Sequence, residues 1–230
     1  MNNVLNLGYI KFIESWGADE RIIEAARMST GGGFISWEPY EKHPNGDAGL
    51  LSYLWRNKHY TPFEMAGLVI EVKAPIVVFR EWHRHRTQSY NEMSGRYIEL
   101  PNENYLPTLD RVIDSTRPTK NKQAASSVDV QSSEVELEDW LDELQRSYDH
   151  CQKVYKKGLK LGIAKEVARL CLPVARYSIM RASGNLRNWL HFLSLRTDPT
   201  AQWEIRQYAN IVAGLVRDRF PRAFKLWEEK

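Results

Sequence analysis

Residues 84–97 carry an unusual density of side chains that can bind or polarise a ligand. The segment reads Arg-His-Arg-Thr-Gln-Ser-Tyr-Asn-Glu-Met-Ser-Gly-Arg-Tyr, and Met93 is its only aliphatic-type residue, so it is not expected to be a core element. Arginine guanidiniums bind phosphate and other planar anions bidentately. Ser94, Gly95 and Arg96 offer a hydroxyl, backbone N–H groups and a guanidinium together, and the glycine allows close backbone approach. The segment therefore predicts a pocket for a phosphorylated, polar ligand.

The plainest alternative is that this segment is a solvated, charged loop. Two observations weigh against it. The segment follows an apolar run that ends at Trp82, so it leaves a packed element. It also mixes Tyr, Asn, Ser and Gly with its charges, whereas a merely soluble loop favours Lys and Glu. A ligand pocket is therefore the stronger interpretation.

The composition is ordinary for a soluble globular protein, with 43% apolar and 27% charged residues among 230. This length allows one large domain or two small ones and a sizeable core. The formal net charge is only +3, whereas a dedicated nucleic-acid binder is expected to be strongly basic. Any field that attracts an anionic ligand must therefore be local.

Metal and thiol chemistry are not expected. The only cysteines, Cys151 and Cys171, lack Cys-x-x-Cys and metal-ligand spacings, which fits a reducing compartment. Neither has the polar or cationic flank of an activated thiolate. His83 and His85 lie two residues apart without a third ligand at metal spacing, so no metal site is predicted.

Dinucleotide-binding and targeting motifs are also missing from the sequence. It has no Gly-x-Gly-x-x-Gly turn, and the glycines at 31–33 are not followed by the Lys-Ser/Thr pair of a P-loop. The N-terminal residues show no basic region followed by an apolar run, and no window approaches roughly 18 apolar residues. We therefore expect a cytoplasmic protein with no membrane association.

The elements that must position the segment are predicted from hydrophobic periodicity and end signals. In the first half of the chain, we expect strands at 9–13 and 68–72 and helices at 19–28, 50–57 and 76–82. Asp19 is placed to cap the first helix. The helix at 76–82 would deliver Arg84 at its C-terminal end, where the helix dipole favours cations.

The second half of the chain begins with a segment that lacks hydrophobic periodicity. Residues 108–133 are therefore expected to form an insert or mobile loop. Ser133 and Glu136 then form a capping box for a long amphipathic helix that Gly162 ends. The remaining elements are a short helix at 165–172, a strand at 176–181, a helix that Asn185 opens, and a last long helix that begins at 198–199.

The segment 84–97 resembles the signature of a known protein family. Arg84-His85-Arg86, followed by seven residues and Ser94, matches the signature of the flavin-dependent thymidylate synthases, and the match extends through 91–92 and 95–97. Related segments cover most of the chain outside roughly 108–135. The resemblance implies one α+β domain over residues 1–230, with a small, mostly antiparallel sheet flanked by long helices, the thymidylate synthase-complementing protein fold.

The resemblance also implies a reaction. Proteins of this family convert deoxyuridylate (dUMP) to thymidylate (dTMP) by reductive methylation. Methylenetetrahydrofolate donates the carbon, FAD supplies the hydride after reduction by NADPH, and no cysteine acts as a nucleophile. The absence of a nucleophilic cysteine agrees with the surroundings of Cys151 and Cys171 in this sequence. The family precedent is a homotetramer with active sites between subunits, acting on small molecules and not on nucleic acid.

Site residues are carried over by position. The resemblance assigns flavin binding to Thr61, Arg84, His85, Arg86, Glu92, Asn185, Leu186, Arg187 and His191, with Thr61 and 185–187 coming from neighbouring subunits. It assigns dUMP binding to Glu81, Trp82, His83, Arg84, Glu92, Met93, Ser94, Gly95, Arg96, Arg169 and Arg196. No covalent role is implied for Ser94.

Arg196 matches the arginine that the family credits with activating the uracil ring. When C5 of uracil becomes nucleophilic, electron density moves onto N3 and the carbonyl groups. A fixed guanidinium can stabilise that charge as an oxyanion-hole donor does.

Two positions depart from the family pattern. His191 stands where many members have asparagine, and this makes the contact sensitive to pH. Glu81 stands where glutamine is common, and a carboxylate would repel a phosphate, so Glu81 is expected to face an arginine or the sugar. Two alternative functions stay open: a basic nucleic-acid-binding module that uses Arg84, Arg86 and Arg96, and a relative that binds nucleotide and flavin without turnover.

Overall fold

The computed structural model describes residues 1–41, 43–117 and 132–229 and has an α+β fold. Its sheet is antiparallel throughout, with the strand order β1-β2-β3-β5-β4. The expected fold, a small antiparallel sheet flanked by helices, is confirmed. The strands are β1 (Asn2–Val4), β2 (Gly8–Trp16), β3 (Gly67–Pro75), β4 (Ser89–Glu92) and β5 (Tyr177–Asn185).

The helices of the described residues include two long ones and several short ones. They are α1 (Asp19–Arg27), α2 (Gly46–Arg56), α3 (Ile76–Trp82), α4 (Leu109–Thr116), α5 (Glu134–Lys160), α6 (Lys165–Ala168), α7 (Leu186–Arg196), α8 (Trp203–Arg219) and α9 (Pro221–Glu228). Short 3-10 turns occupy Met28–Thr30, Thr61–Met65 and Arg169–Cys171. In the described part of the chain, no helix combines the length and apolar composition that crossing a membrane requires.

The central strands β3 and β5 pair along their whole length, and each runs directly into a helix that carries functional residues. Leu68, Ile70 and Val72 alternate along β3 and are fully buried, as the period of a strand predicts. Pro75 ends β3 and is the N-cap of α3, and Asn185 ends β5 and caps α7 by accepting from the backbone N–H of Asn188 over 3.0 Å. The ends of α3 and α7 are thereby fixed to one rigid sheet.

The residue expected to cap α1 caps a different helix. The N-cap of α1 is Ala18, which makes no side-chain cap. The carboxylate of Asp19 instead accepts from the backbone N–H groups of Arg222 and Ala223, over 2.8 and 3.1 Å, in the first turn of α9. Burial raises the pKa of Asp19, and these two hydrogen bonds oppose the rise. The prediction was wrong because the tertiary structure places another helix end beside the same carboxylate.

The last long helix also begins later than expected. Asp198 is not its first residue, because the Asp198 carboxylate accepts from the Thr200 backbone N–H and hydroxyl and closes a turn before α8. The helix then ends before Pro221, which begins the separate helix α9. The predicted single element is therefore a turn followed by two helices.

The segment predicted as an insert contains the ordered helix α4. Thr108 caps it by accepting from the backbone N–H of Arg111 over 3.3 Å, Val112 is buried, and the helix packs against α5. Arg111 also donates to Glu204 of α8 over 2.9 Å. A loop is wrong for residues 109–116, the insert stays a prediction, and residues 118–131 lie outside the described part of the chain.

The predicted ends of the long helix α5 are confirmed. Ser133 and Glu136 form the full capping box, with the Ser133 hydroxyl accepting from the Glu136 backbone N–H and the Glu136 carboxylate accepting from the Ser133 backbone N–H. Gly162 follows the last turn with φ +78, the left-handed conformation that favours glycine. Local sequence signals were sufficient here because both ends are satisfied by their own neighbours.

Candidate functional site

Arg196, the last residue of α7, is held by three hydrogen bonds against the end of α3. Its Nε donates to Nε2 of His85 over 2.9 Å, and its Nη1 donates to Oε2 of Glu81 over 3.0 Å. Its Nη2 donates to the main-chain oxygen of Glu81, also over 3.0 Å. The Arg196 side chain is 15% exposed. The expectation that Glu81 faces an arginine is therefore confirmed.

His85 acts as a neutral hydrogen-bond acceptor in this arrangement. It is buried, and burial lowers its pKa to about 4, with further lowering from the nearby Arg196 and His191. The Tyr90 hydroxyl donates to the backbone oxygen of His85 over 2.7 Å, and the ring packs edge-on against Phe192. At neutral pH the imidazole nitrogen that faces Arg196 is therefore unprotonated and can accept.

This lowered pKa predicts a loss of stability in mild acid. Between the usual pKa of 6.5 and about 4, the unfolded chain binds a proton at His85 and the folded chain does not. The stabilisation is complete above pH 6.5 and is lost as the pH falls toward 4. From pH 7 to pH 5, the free energy of unfolding should fall by up to about 2 kcal/mol more in the wild type than in His85→Gln, measured by urea denaturation. Equal losses in the two proteins would contradict the burial of a neutral imidazole.

Part of the segment that was expected to stay out of the core is buried. His85 and Gln88 are both buried, and the segment contributes the edge strand β4, which the sequence did not predict. The Gln88 side-chain oxygen accepts from the Trp82 indole over 3.1 Å, while its side-chain nitrogen has no hydrogen-bond partner among the described residues. Hydrophobicity alone gives no sign of such polar burial.

Two adjoining cavities open beside Arg196. The smaller has a volume of about 220 Å³, and the larger about 540 Å³. Thr87 and His191 line both. Arg84 and Arg86 line the smaller cavity and are exposed, and among the described residues neither has an acidic side chain within 4.0 Å. These guanidiniums are therefore available to an anionic ligand.

The larger cavity combines aromatic and polar walls. Trp55 and Tyr60 supply the aromatic surfaces. Arg187 forms an ion pair with Glu64 and lies over the Tyr60 ring at 6.0 Å. The side chain of Asn188 donates to the backbone oxygen of Thr87 over 3.0 Å, which connects α7 to the segment 84–97.

Other residues carried over as flavin contacts lie around this cavity in different ways. Asn185 lines it, although its side-chain oxygen already caps α7. The Leu186 side chain is fully buried in the core, so a ligand can meet only its backbone. Thr61 lines a third cavity of about 720 Å³. Tyr60 lines both this cavity and the cavity of about 540 Å³. Phe63 is fully buried beneath this turn.

A second group of predicted substrate contacts lies at the far end of β4. The Ser94 hydroxyl accepts from the Arg96 backbone N–H over 3.3 Å, and Arg96 donates to Glu166 over 3.0 Å. A Cβ on Gly95 would lie 3.3 Å from the Arg169 side chain, so Arg169 packs beside this turn. In residues 1–41, 43–117 and 132–229, no side-chain hydrogen bond or ion pair joins this group to Arg196.

The remaining predicted contacts lie between these two groups. Glu92 is exposed at the end of β4, and the backbone of Met93 continues the ladder by donating to the Ile179 oxygen over 2.8 Å. Trp82 is fully buried, so its side chain packs in the core and does not face a cavity. His83 is half-buried, and its Nε2 has no hydrogen-bond partner among the described residues.

The structure brings several further residues to the site that were not predicted from the sequence. Trp55, Tyr60, Glu64, Asn188 and Ser194 line the larger cavity. The pair Trp55 and Tyr60 could have been suspected, since two aromatic residues precede the turn that contains Thr61. Ser194 carried no signal beyond its position on the same helix as Arg187 and His191.

The comparisons with known proteins agree with this geometry. The family model described as thymidylate synthase complementing protein matches residues 11–222. This chain belongs to the flavin-dependent thymidylate synthase family. Among curated family members, a flavin-dependent thymidylate synthase from Thermus thermophilus is 39% identical over 226 residues, covering 98% of this chain and 77% of the relative. One from Thermosipho africanus is 38% identical and covers 96% and 91%, respectively.

Solved structures of related proteins share the fold. A UMP/dUMP methylase, PolB from Streptomyces cacaoi, was determined with 5-Br UMP and with 5-Br dUMP. The two structures align with a TM-score of 0.80 at 30% and 31% identity. The alignments cover 96% of this chain and 94% or 95% of the other. The family resemblance drawn from the segment 84–97 is therefore confirmed over nearly the whole chain.

Proposed function

We propose that this chain, acting as a single domain, catalyses the reductive methylation of dUMP to dTMP. Methylenetetrahydrofolate is the carbon donor, and FAD reduced by NADPH is the hydride source. The observation that carries this proposal is the mostly buried Arg196 guanidinium, fixed by Glu81 and His85 beside the guanidiniums of Arg84 and Arg86, which have no acidic partner among the described residues. Family membership and the names of the relatives support the same reaction.

The residues around the two adjoining cavities fit a flavin dinucleotide. Trp55 and Tyr60 offer the apolar surfaces that a flat ring needs, and His191 and Asn188 offer hydrogen-bonding groups. Arg84 and Arg86 carry charges that suit a diphosphate. When bound there, the flavin would supply the hydride for reduction of the transferred carbon.

Arg196 is the residue that we assign to the pyrimidine. A guanidinium has five N–H groups. Among the described residues, three of those of Arg196 are used by Glu81 and His85, and Arg196 lines the smaller cavity, so we assign the other two to a ligand there. A pair of fixed donors stabilises the negative charge that develops on the ring carbonyls as C5 becomes nucleophilic. The protein need not reorganise at that step, because the guanidinium is already oriented.

We further propose that two copies of the chain complete each site, within a homotetramer. The predicted dUMP contacts fall into two groups, one at Arg196 and one at Arg96 and Arg169, which no side-chain contact joins among the described residues of one chain. A second subunit can bring the second group, and the wall that includes Thr61, to the first. Light scattering of the purified protein with and without FAD tests the assembly.

The proposed function is tested with purified enzyme and four small molecules. The protein is expected to be yellow and to release flavin absorbance on denaturation. Formation of dTMP should require dUMP, methylenetetrahydrofolate, NADPH and bound FAD, and omission of any one should abolish it. A colourless protein that makes no dTMP with added FAD would contradict the proposal.

The proposed reaction also predicts that the cysteines are dispensable. Cys171 donates to the backbone oxygens of Cys151 and Ala168 at 3.4 Å, and neither cysteine lines any of the three cavities described above. The double variant Cys151→Ser and Cys171→Ser keeps a donor at each position. Its kcat for dTMP formation should stay within about twofold of the wild type, since no thiol attacks the ring. Loss of methylation in a folded double variant would reveal a thiol mechanism.

A further inference from the structure

Two of the three hydrogen bonds that hold Arg196 end on one residue. The side-chain carboxylate of Glu81 accepts a hydrogen bond from Nη1 of Arg196, and its main-chain oxygen accepts one from Nη2, both over 3.0 Å. The main-chain contact is available to any residue at this position, but the side-chain contact needs an acceptor. The identity of residue 81 therefore decides whether one edge of the guanidinium is held at one point or at two.

The surroundings of Glu81 place its carboxyl group among arginines. Its side chain is 40% exposed, so the carboxylate keeps part of its hydration, while its partner Arg196 is 15% exposed. Arg84 and Arg86 lie at the same cavity as Arg196, so the carboxylate also offsets some of the positive charge collected there. In its paired position Glu81 does not line either adjoining cavity.

We propose that Glu81 is a positioning residue that orients Arg196 toward the pyrimidine. This inference rests on the proposed function. His85 contacts Nε and Glu81 contacts both Nη groups, so the plane of the guanidinium is fixed at the end of α7. Catalysis depends on such preorganised donors. Loss of the Glu81 side chain should therefore affect the transition state more than the binding of dUMP.

The test compares two side chains of similar length. Glu81→Gln keeps an acceptor oxygen without the charge, and Glu81→Met keeps the length without a comparable acceptor. The matched control is Glu24→Met, because Glu24 lies on α1, is 37% exposed and pairs with Arg21. For each purified holoenzyme we would measure kcat, KM for dUMP, flavin content and thermal midpoint, and the Kd for dUMP by calorimetry.

For Glu81→Met we expect kcat to fall about tenfold or more, with the Kd for dUMP within about threefold and flavin content unchanged. Glu81→Gln should recover kcat to within about threefold of the wild type. The control should match the wild type in every measurement. Rescue by the amide distinguishes an acceptor that orients Arg196 from a group that only supports the fold.

Several results would overturn the inference. They are a wild-type kcat in Glu81→Met, a rise in KM and Kd without a change in kcat, or equal loss of kcat in the Met and Gln variants. A wild-type enzyme that neither binds dUMP nor forms dTMP would overturn the proposed function, and this inference with it. That result is distinguishable because it appears before any substitution is made.

Discussion

Replacing Arg196 with alanine is expected to lower kcat for dTMP formation by about 100- to 1000-fold, while flavin content stays at the wild-type level. The removal of one preorganised donor from an oxyanion-type site typically has this effect. Arg196 is mostly buried, and among the described residues two of its five N–H groups have no partner. Single-turnover assays of dTMP formation at saturating dUMP would measure the loss, and the flavin spectrum would report cofactor retention.

Arg181→Ala is the matched control for this experiment. Arg181 lies on β5, is 56% exposed and pairs with Glu71 over 3.4 Å, so its loss should change kcat by less than about twofold. Free guanidinium added to Arg196→Ala should restore part of the activity, because the vacated position lies beside an open cavity. If Arg196→Ala turned over like the wild type, the role assigned to this residue would be wrong.

The second large effect is expected for stability, from Asp47→Ala. The Asp47 side chain is fully buried near the start of α2. It forms an ion pair with Arg27 and accepts from the backbone N–H groups of Ile35 and Ser36, over 2.8 and 3.3 Å, and from the Tyr40 hydroxyl over 2.8 Å. Breaking a buried pair by removing one partner costs about 3–5 kcal/mol. The free energy of unfolding from urea titrations should fall by about this amount.

A surface ion pair provides the comparison. Asp114 on α4 pairs with Arg117 over 2.8 Å, and both side chains are more than half exposed. Asp114→Ala should therefore lower the free energy of unfolding by less than about 1 kcal/mol. If the two substitutions had similar effects, the hydrogen bonds that Asp47 makes with residues 35–40 would not stabilise the fold as proposed.

Local signals predicted the elements whose ends and faces are satisfied by their own neighbours. The alternation at 68–72 lies within β3, the capping box at Ser133 begins α5, and Asn185 caps α7. The segment 84–97 also identified the family, because its arginines, serine and glycine occur at fixed spacings that no hydrophobic pattern requires. Residue types and short spacings are properties that a chain carries before it folds.

Partners that lie far apart along the chain were decided only by the tertiary structure. Arg196 meets Glu81 across 115 residues, and Asp19 caps a helix more than 200 residues away. The burial of His85 and Gln88 also depends on neighbours that the sheet and α7 supply. Hydrophobic periodicity reports which apolar faces are buried, but a polar side chain can be buried wherever the fold brings it a matching donor or acceptor. The sequence by itself therefore determined the family, the strands β2, β3 and β5 and the groups available for catalysis, and the packing of α7 against α3 determined how Arg196 is oriented.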